Sequence, residues 1–125
     1  MQITPQLKSV LIVSHGSRLA KTKEEVLLLI GKLKVLHAAD IIEFAFLELE
    51  SPSILEGIEL CVKQGASSVL IALNFLNAGL HVDDDIPTIV AESARKNPSI
   101  RFTITKPIGQ HEQIPNLFLD LINRS

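Results

Sequence analysis

The sequence predicts an α/β domain: a single open, mainly parallel four-stranded sheet with helices on both faces, in the order βαβαβαβα. Two observations carry this. Apolar runs of strand length alternate with longer stretches whose apolar residues recur at helical spacing. The first and third apolar runs, VLIV at 10–13 and VLIAL at 69–73, are also continuous, as in strands covered on both faces. With 125 residues, 46% of them apolar, the chain is long enough for one domain, 1–125, around a real core.

Strand one is predicted at 8–14. A helix follows over 19–37, where Val26, Ile30, Leu33 and Leu36 recur at helical spacing and Lys21, Lys23, Glu24 and Glu25 crowd the first turns. Leu27, Leu28 and Leu29 widen its apolar face beyond what packing on a sheet requires. Strand two spans 41–47. Ser51 then reads as an N-cap with Pro52 at the first helical position, and Ile54, Leu55, Ile58, Cys61 and Val62 share one face of that helix. On that face Cys61 is a small buried apolar residue rather than a nucleophile. Gly65 closes the helix.

Strand three is predicted at 68–73, followed by a loop, NFLNAGLHVDDDIP at 74–87. One of Asp83, Asp84 and Asp85 is expected to cap a third helix over 85–96, with Ile86, Ile89, Val90 and Ala94 inward and Asn97-Pro98 as its stop. Over 100–105, Ile100, Phe102 and Ile104 alternate with Arg101, Thr103 and Thr105, the pattern of an edge strand with one face less buried. The fourth helix is expected over 112–123, with Ile114, Leu117, Phe118, Leu121 and Ile122 on one side.

Composition narrows the function. A formal charge of −2 and a pI near 6.1 argue against a nucleic-acid coat or a polybasic membrane binder. The apolar runs fall short of the roughly 20 residues of a membrane span, and the first ten residues carry no signal-peptide pattern. A single cysteine fits a reducing compartment, so a cytoplasmic location is expected.

Four histidines are present. His37 falls at the end of helix one, where a cation favours the helix C-terminus, and His111 precedes helix four in a surface or capping place. His15 and His81 differ, because each follows a strand on the side where loops of open α/β sheets bind ligands. With Glu48, near the end of strand two, they form a possible His-Glu-His cluster from three loops. Neutral imidazole and carboxylate suit Co(II), Fe(II), Ni(II) or Zn(II). The sequence spacing is too wide for a local metal motif, so the cluster depends on the fold.

Four segments in order, VSHGSR at 13–18, FLELESP at 46–52, LNFLNAGLHVDDDIP at 73–87 and IGQH at 108–111, resemble the small class II chelatases of the CbiX/SirB type. These insert a divalent metal into sirohydrochlorin, and the long G-L-H-V-x-x-D-I-P piece is the most specific part of the match. The resemblance implies a flavodoxin-like, chelatase-like fold, with His15 and His81 catalytic and metal-binding and Glu48 a third ligand. It also implies substrate contacts from Ser14, Gly16, Ser17 and Arg18 after strand one, and from Asn74, Phe75, Leu76, Gly79 and Leu80 after strand three. The metal, Co²⁺, Fe²⁺ or Ni²⁺, is substrate, and no organic cofactor is implied. The pathway would be siroheme, cobalamin or a nickel tetrapyrrole.

Metallation exchanges two pyrrole N–H protons for one M²⁺. Histidine suits both tasks, since an unperturbed pKa of about 6.5 lets it bind metal when neutral and accept a proton near neutrality. The substrate's carboxylates need local positive charge, for which Arg18, Lys21 and Lys23 stand beside the first loop. Phe75, Leu76 and Leu80 would supply apolar walls, while Asp83, Asp84 and Asp85 must face away or attract the metal. A homodimer is expected, because one short chain offers little wall to a broad, flat ligand. Two other readings compete: a module binding a phosphate-bearing ligand, with Gly16 and Ser17 as cradle, and a metal- or tetrapyrrole-binding protein without turnover.

Overall fold

β1 (Leu7–Ser14) lies inside the sheet, paired in parallel with β2 (Ile41–Phe46) on one side and β3 (Ala66–Leu73) on the other. β4 (Arg101–Ile104) pairs with β3 and completes the order β2-β1-β3-β4. This computed structural model describes residues 6–125, the side chain of His81 excepted. The two inner strands are those with continuous apolar centres, and β4 is an edge strand, as its alternation predicts.

The helices divide between the faces. On one, Val26 and Ile30 of α1 (Ala20–Val35) pack with Ile12, Ile42 and Phe46. On the other, α2 (Ile54–Lys63) and α3 (Ile86–Lys96) bring Ile54, Ile58, Ile86 and Val90 against Leu11, Val13, Val69 and Ile71. Cys61 is fully buried there, as expected. Burial pushes its thiol pKa up, against the Ser9 hydroxyl that lowers it, so the thiol stays protonated and apolar in character. The last helix, α4 (Ile114–Asn123), has no buried residue.

Several element ends differ from the prediction, two of them helix starts with a clear local cause. The cap of α2 is Ser53, not Ser51, and Ile54, not Pro52, is its first residue. The Pro52 carbonyl still accepts from the Phe46 N–H (2.8 Å), which keeps the chain extended beside β2. Ser53 stands three residues before Glu56, the spacing of a capping box, and both reciprocal bonds form: Glu56 N–H to Ser53 Oγ (3.2 Å) and Ser53 N–H to Glu56 Oε1 (2.9 Å).

The segment before α3 is helical earlier than expected. A π-turn, His81–Asp85, leads directly into Ile86, and the Asp83 N–H already donates to the Gly79 carbonyl (2.8 Å). Val82 is buried beside Ile86 at i+4, so the apolar face of the helix starts inside the stretch predicted as loop. Asp85 makes no side-chain cap. The three aspartates lie within the first turns, where negative charge still meets the positive end of the helix dipole.

α1 closes through backbone geometry. His37 takes a left-handed φ of 52°, and its N–H reaches the Lys34 carbonyl (3.0 Å) while the Ala38 N–H reaches Leu33 (3.1 Å). That is a Schellman ending, with histidine in the place glycine usually takes. At α2, Gly65 occupies the corresponding place, as predicted (φ 95°).

The capping box gives a stability test. The Ser53 backbone and side-chain hydrogen bonds hold the Glu56 carboxyl below its ordinary pKa. Its contribution is therefore complete above the unfolded carboxyl pKa and fades as pH falls through the depressed native value. Ser53→Ala should cost about 1 kcal/mol at neutral pH, read as a lower urea midpoint with unchanged slope, and the gap to the parent should narrow in acid.

Candidate functional site

The chain leaves β1 toward β2, then crosses back to β3, so the crevice at which strand order reverses lies at the carboxyl ends of β1 and β3. The strand ends are level there: Ser14 pairs with Phe46, and Val13 with Leu73. Hydrogen bonding runs past the strands into the loops. Leu47 N–H donates to Ser14 O (2.8 Å), Glu48 N–H to His15 O (3.0 Å) and Asn74 N–H to Val13 O (2.8 Å).

Gly16 permits this closeness. Its φ is 102°, and a Cβ there would sit 1.8 Å from the Glu48 carbonyl oxygen, so no other residue fits without moving the loop. Next to it, the Ser17 N–H donates to Glu50 Oε1 (2.7 Å). Leu49, between the two glutamates, is left-handed at φ 69°, a conformation that costs a non-glycine residue about 1 kcal/mol or more. The strain accompanies a reversal that sends Glu48 and Glu50 to different partners.

The result is an ion-pair contact of 2.9 Å between His15 Nε2 and Glu48 Oε1, with the two side chains 49% and 48% exposed. The other ring nitrogen, Nδ1, lies 3.1 Å from the Gly16 carbonyl. That oxygen can only accept, so the contact calls for a proton on Nδ1, and Nε2 donates to the carboxylate only when it too carries a proton.

The pair has a cleft on each side. One, of about 270 Å³, is lined by Ser14, His15, Gly16 and Asn74 with Thr22 and Val26 of α1. The other, about 430 Å³, is lined by Leu47, Glu48, Asp84, Asp85, Thr88 and Ile89. Two of the three aspartates therefore share a cleft with Glu48, which gives that side strong negative character. A third cleft, about 530 Å³, adjoins Ser17, Arg18, Lys23 and Glu50. Lys23 is held there: its ammonium donates to the Ser51 carbonyl (3.0 Å) and lies 5.9 and 6.0 Å from the Phe44 and Phe46 ring centres. Arg18 and Lys21 stay exposed.

Of the other expected substrate contacts, Ser14 is buried, its hydroxyl accepting from Asn74 Nδ2 (3.0 Å), so this pair braces the ends of β1 and β3. Phe75 packs against the core on the α3 side, while Leu76 and Leu80 are each 71% exposed. Gly79 starts the helical turn through its carbonyl. His81 is the first residue of the π-turn; its side chain lies outside the described residues. Among those described, no three acidic, histidine or cysteine side chains converge as a metal site; His15 and Glu48 are the two brought together.

Sequence reasoning quoted Gly109 within IGQH at 108–111 without giving it a role, and passed over Lys106. Gly109 donates its N–H to the Phe75 carbonyl (3.0 Å), and a Cβ there would meet the Leu76 carbonyl oxygen at 1.8 Å. It thus binds the segment after β4 to the loop after β3. Lys106 lies at the same end of the sheet, in a cleft of about 380 Å³ with Thr105, Pro107, Gln110 and His111. Its place just after a strand was the available signal. His111 accepts from the Gln113 N–H through Nδ1 (3.0 Å), a capping contact ahead of α4.

The CbiX family model matches residues 9–125. The chain is 36% identical over 107 residues to a sirohydrochlorin ferrochelatase of Bacillus subtilis, covering 86% of this chain and 41% of that one. It is 28% identical over 119 residues to a sirohydrochlorin cobaltochelatase of Methanococcoides burtonii, covering 89% and 91%. The fold superimposes on the sirohydrochlorin chelatase SirB from Bacillus subtilis subspecies spizizenii in complex with cobalt, with a TM-score of 0.85 and 34% identity, over 95% of this chain and 51% of that chain. The chain spans about half the length of the ferrochelatases it matches. With a family match running through the His15 loop, the glutamate loop and the helical turn at His81, the chain belongs to the CbiX family.

Proposed function

We propose that this chain inserts a divalent metal, Co²⁺ or Fe²⁺ and by the same chemistry Ni²⁺, into sirohydrochlorin or a close tetrapyrrole relative. The observation that carries the reading is the 2.9 Å contact between His15 Nε2 and Glu48 at the end of the inner strand. Once Nε2 has given up its proton, the imidazole nitrogen and the carboxylate at that separation offer two ligands to one M²⁺. When the metal passes to the macrocycle, Nε2 is free to take a pyrrole proton, and the adjacent Glu48 carboxylate stabilises the resulting imidazolium. Two protons leave for each metal bound, and His81 is assigned as the second metal-handling group. Asp84 and Asp85, on the Glu48 side, attract the cation, while Arg18 and Lys21 receive substrate carboxylates. The exposed Leu76 and Leu80 are the apolar wall.

The working unit we assign is a homodimer in the cytoplasm. The clefts around the pair are open and small beside a tetrapyrrole, and Leu27 and Leu28 of α1 leave apolar surface bare, whereas Leu29 packs on the core. The buried free Cys61 suits a reducing compartment.

The decisive assay incubates the protein with sirohydrochlorin and Co²⁺, then Fe²⁺, and follows the absorbance of the macrocycle. Turnover supports the chelatase reading, and metal binding without turnover would replace it with a carrier. His15→Ala and His81→Ala should each slow insertion by about 100-fold or more with unchanged circular dichroism. Near-parent activity in either removes that residue from the reaction. Glu48→Gln should weaken Co²⁺ binding at least about tenfold, whereas Glu50→Gln, which keeps an oxygen for the Ser17 N–H, should leave it unchanged. Sedimentation at micromolar concentration should report twice the 13.7 kDa chain mass.

A further inference from the structure

The hydrogen bonding of β4 outlasts the strand. The Thr105 N–H donates to the Ile71 carbonyl (2.9 Å). The Thr105 hydroxyl then accepts from the Leu73 N–H (3.0 Å) and donates to the Lys106 carbonyl (2.8 Å). By the register that pairs Ile71 with Ile104, Lys106 falls level with Leu73, and Leu73 is paired with Val13. Lys106 is therefore fixed at the carboxyl end of the sheet, two strand spacings or about 10 Å from the strand that carries His15. The chain beyond it is fixed as well. Pro107 is buried, a 3₁₀ turn spans Ile108–Gln110, and Gly109 lies against the Leu76 backbone with no room for a Cβ. The cleft of about 380 Å³ along this segment thus stands beside Leu76, part of the apolar wall proposed above.

Two donors in that cleft are unspent. The Lys106 ammonium has no hydrogen bond or ion pair to any described residue, whereas Lys23 is held by the Ser51 carbonyl. His111 uses one ring nitrogen: Nδ1 accepts from the Gln113 N–H (3.0 Å), which puts the proton of the neutral ring on Nε2. Nε2–H has no partner among the described residues. Glu112 lines the same cleft and is ion-paired to neither. Two donors in an open cleft hold a free small anion poorly against that carboxylate. They suffice for an arm of a ligand already seated on the His15 side, because the tether supplies the local concentration.

We propose that this cleft receives a carboxylate arm of the tetrapyrrole, with Lys106 supplying charge and His111 Nε2–H a hydrogen bond. This rests on the substrate reading above and adds residues that fix how the ring lies. The Arg18 cleft includes Leu49 and Glu50, after β2, and Lys106 follows β4, so β1 and β3 stand between the two grips. A ring held at one edge can swing about that hold. Held at both edges, it is kept over the His15–Glu48 contact.

The test reads equilibrium binding of metal-free sirohydrochlorin by its fluorescence, separately from turnover. Lys106→Met should raise the Kd about tenfold and leave kcat at saturating substrate unchanged. Glu112→Gln should lower the Kd, because it removes a repelling charge. His111→Asn keeps an oxygen that can accept from the Gln113 N–H but loses Nε2–H, and should raise the Kd severalfold. Lys63→Met, in the last turn of α2, removes the same charge from the opposite end of the sheet and should change nothing. A Kd for Lys106→Met within about twofold of the parent, or an equal rise in Lys63→Met, would overturn the subsite. An unchanged Kd in His111→Asn would remove His111 from it. A parent that binds sirohydrochlorin through Lys106 without metallating it would sink the chelatase reading and leave the subsite standing. A parent that does not bind sirohydrochlorin would overturn both.

Discussion

The site depends on how closely two loops can approach. The β1 and β2 backbones remain hydrogen-bonded for two residues beyond their strands, and only a glycine at position 16 leaves room for the Glu48 carbonyl. Once that approach is made, the imidazole and carboxylate have little choice but to meet. Glu50 bonds the loop from the side, Asn74 braces its base through Ser14, and Gly109 brings in the fourth strand's loop. A sheet holds strand ends level at fixed spacing, and these contacts carry that order a few residues further out, to where His15 and Glu48 meet.

Charge is then sorted around the pair without any large net charge. Carboxylates gather on the α3 side, where Asp84 and Asp85 join Glu48. On the α1 side Arg18 and a Lys23 fixed by the Ser51 carbonyl and two phenyl faces share a cleft with Glu24 and Glu50. The two sides thus differ, one carrying only carboxylates and the other charges of both signs, and screening keeps each local at physiological salt. The overall charge of −2 conceals both.

The architecture was legible because strand and helix periods differ sharply and the inner strands have continuous apolar centres. The pairing of His15 with Glu48 was legible only as a consequence of parallel order, since 33 positions separate them and nothing local links them. The misplaced ends share a cause: short-range signals compete. Ser51-Pro52 looks like a helix start, yet Ser53 has Glu56 at the capping-box spacing and wins. The aspartate run resembles a loop, yet Val82 continues the apolar face of α3 by one turn. His37 could not be seen as a backbone device, because left-handed histidine leaves no mark in composition. For α4 the periodicity was right, and the apolar face it predicted has no buried residue.

In the proposed reaction, the half-exposure of the His15–Glu48 contact sets how the site is emptied as well as how it is filled. A deeply buried imidazole that had captured a proton would hold it until a protein group moved, and each cycle would wait on that motion. With about half of each side chain in contact with water, a proton on Nε2 can pass to solvent or buffer directly. Recovery of the base is then a diffusive step that needs no rearrangement of the fold.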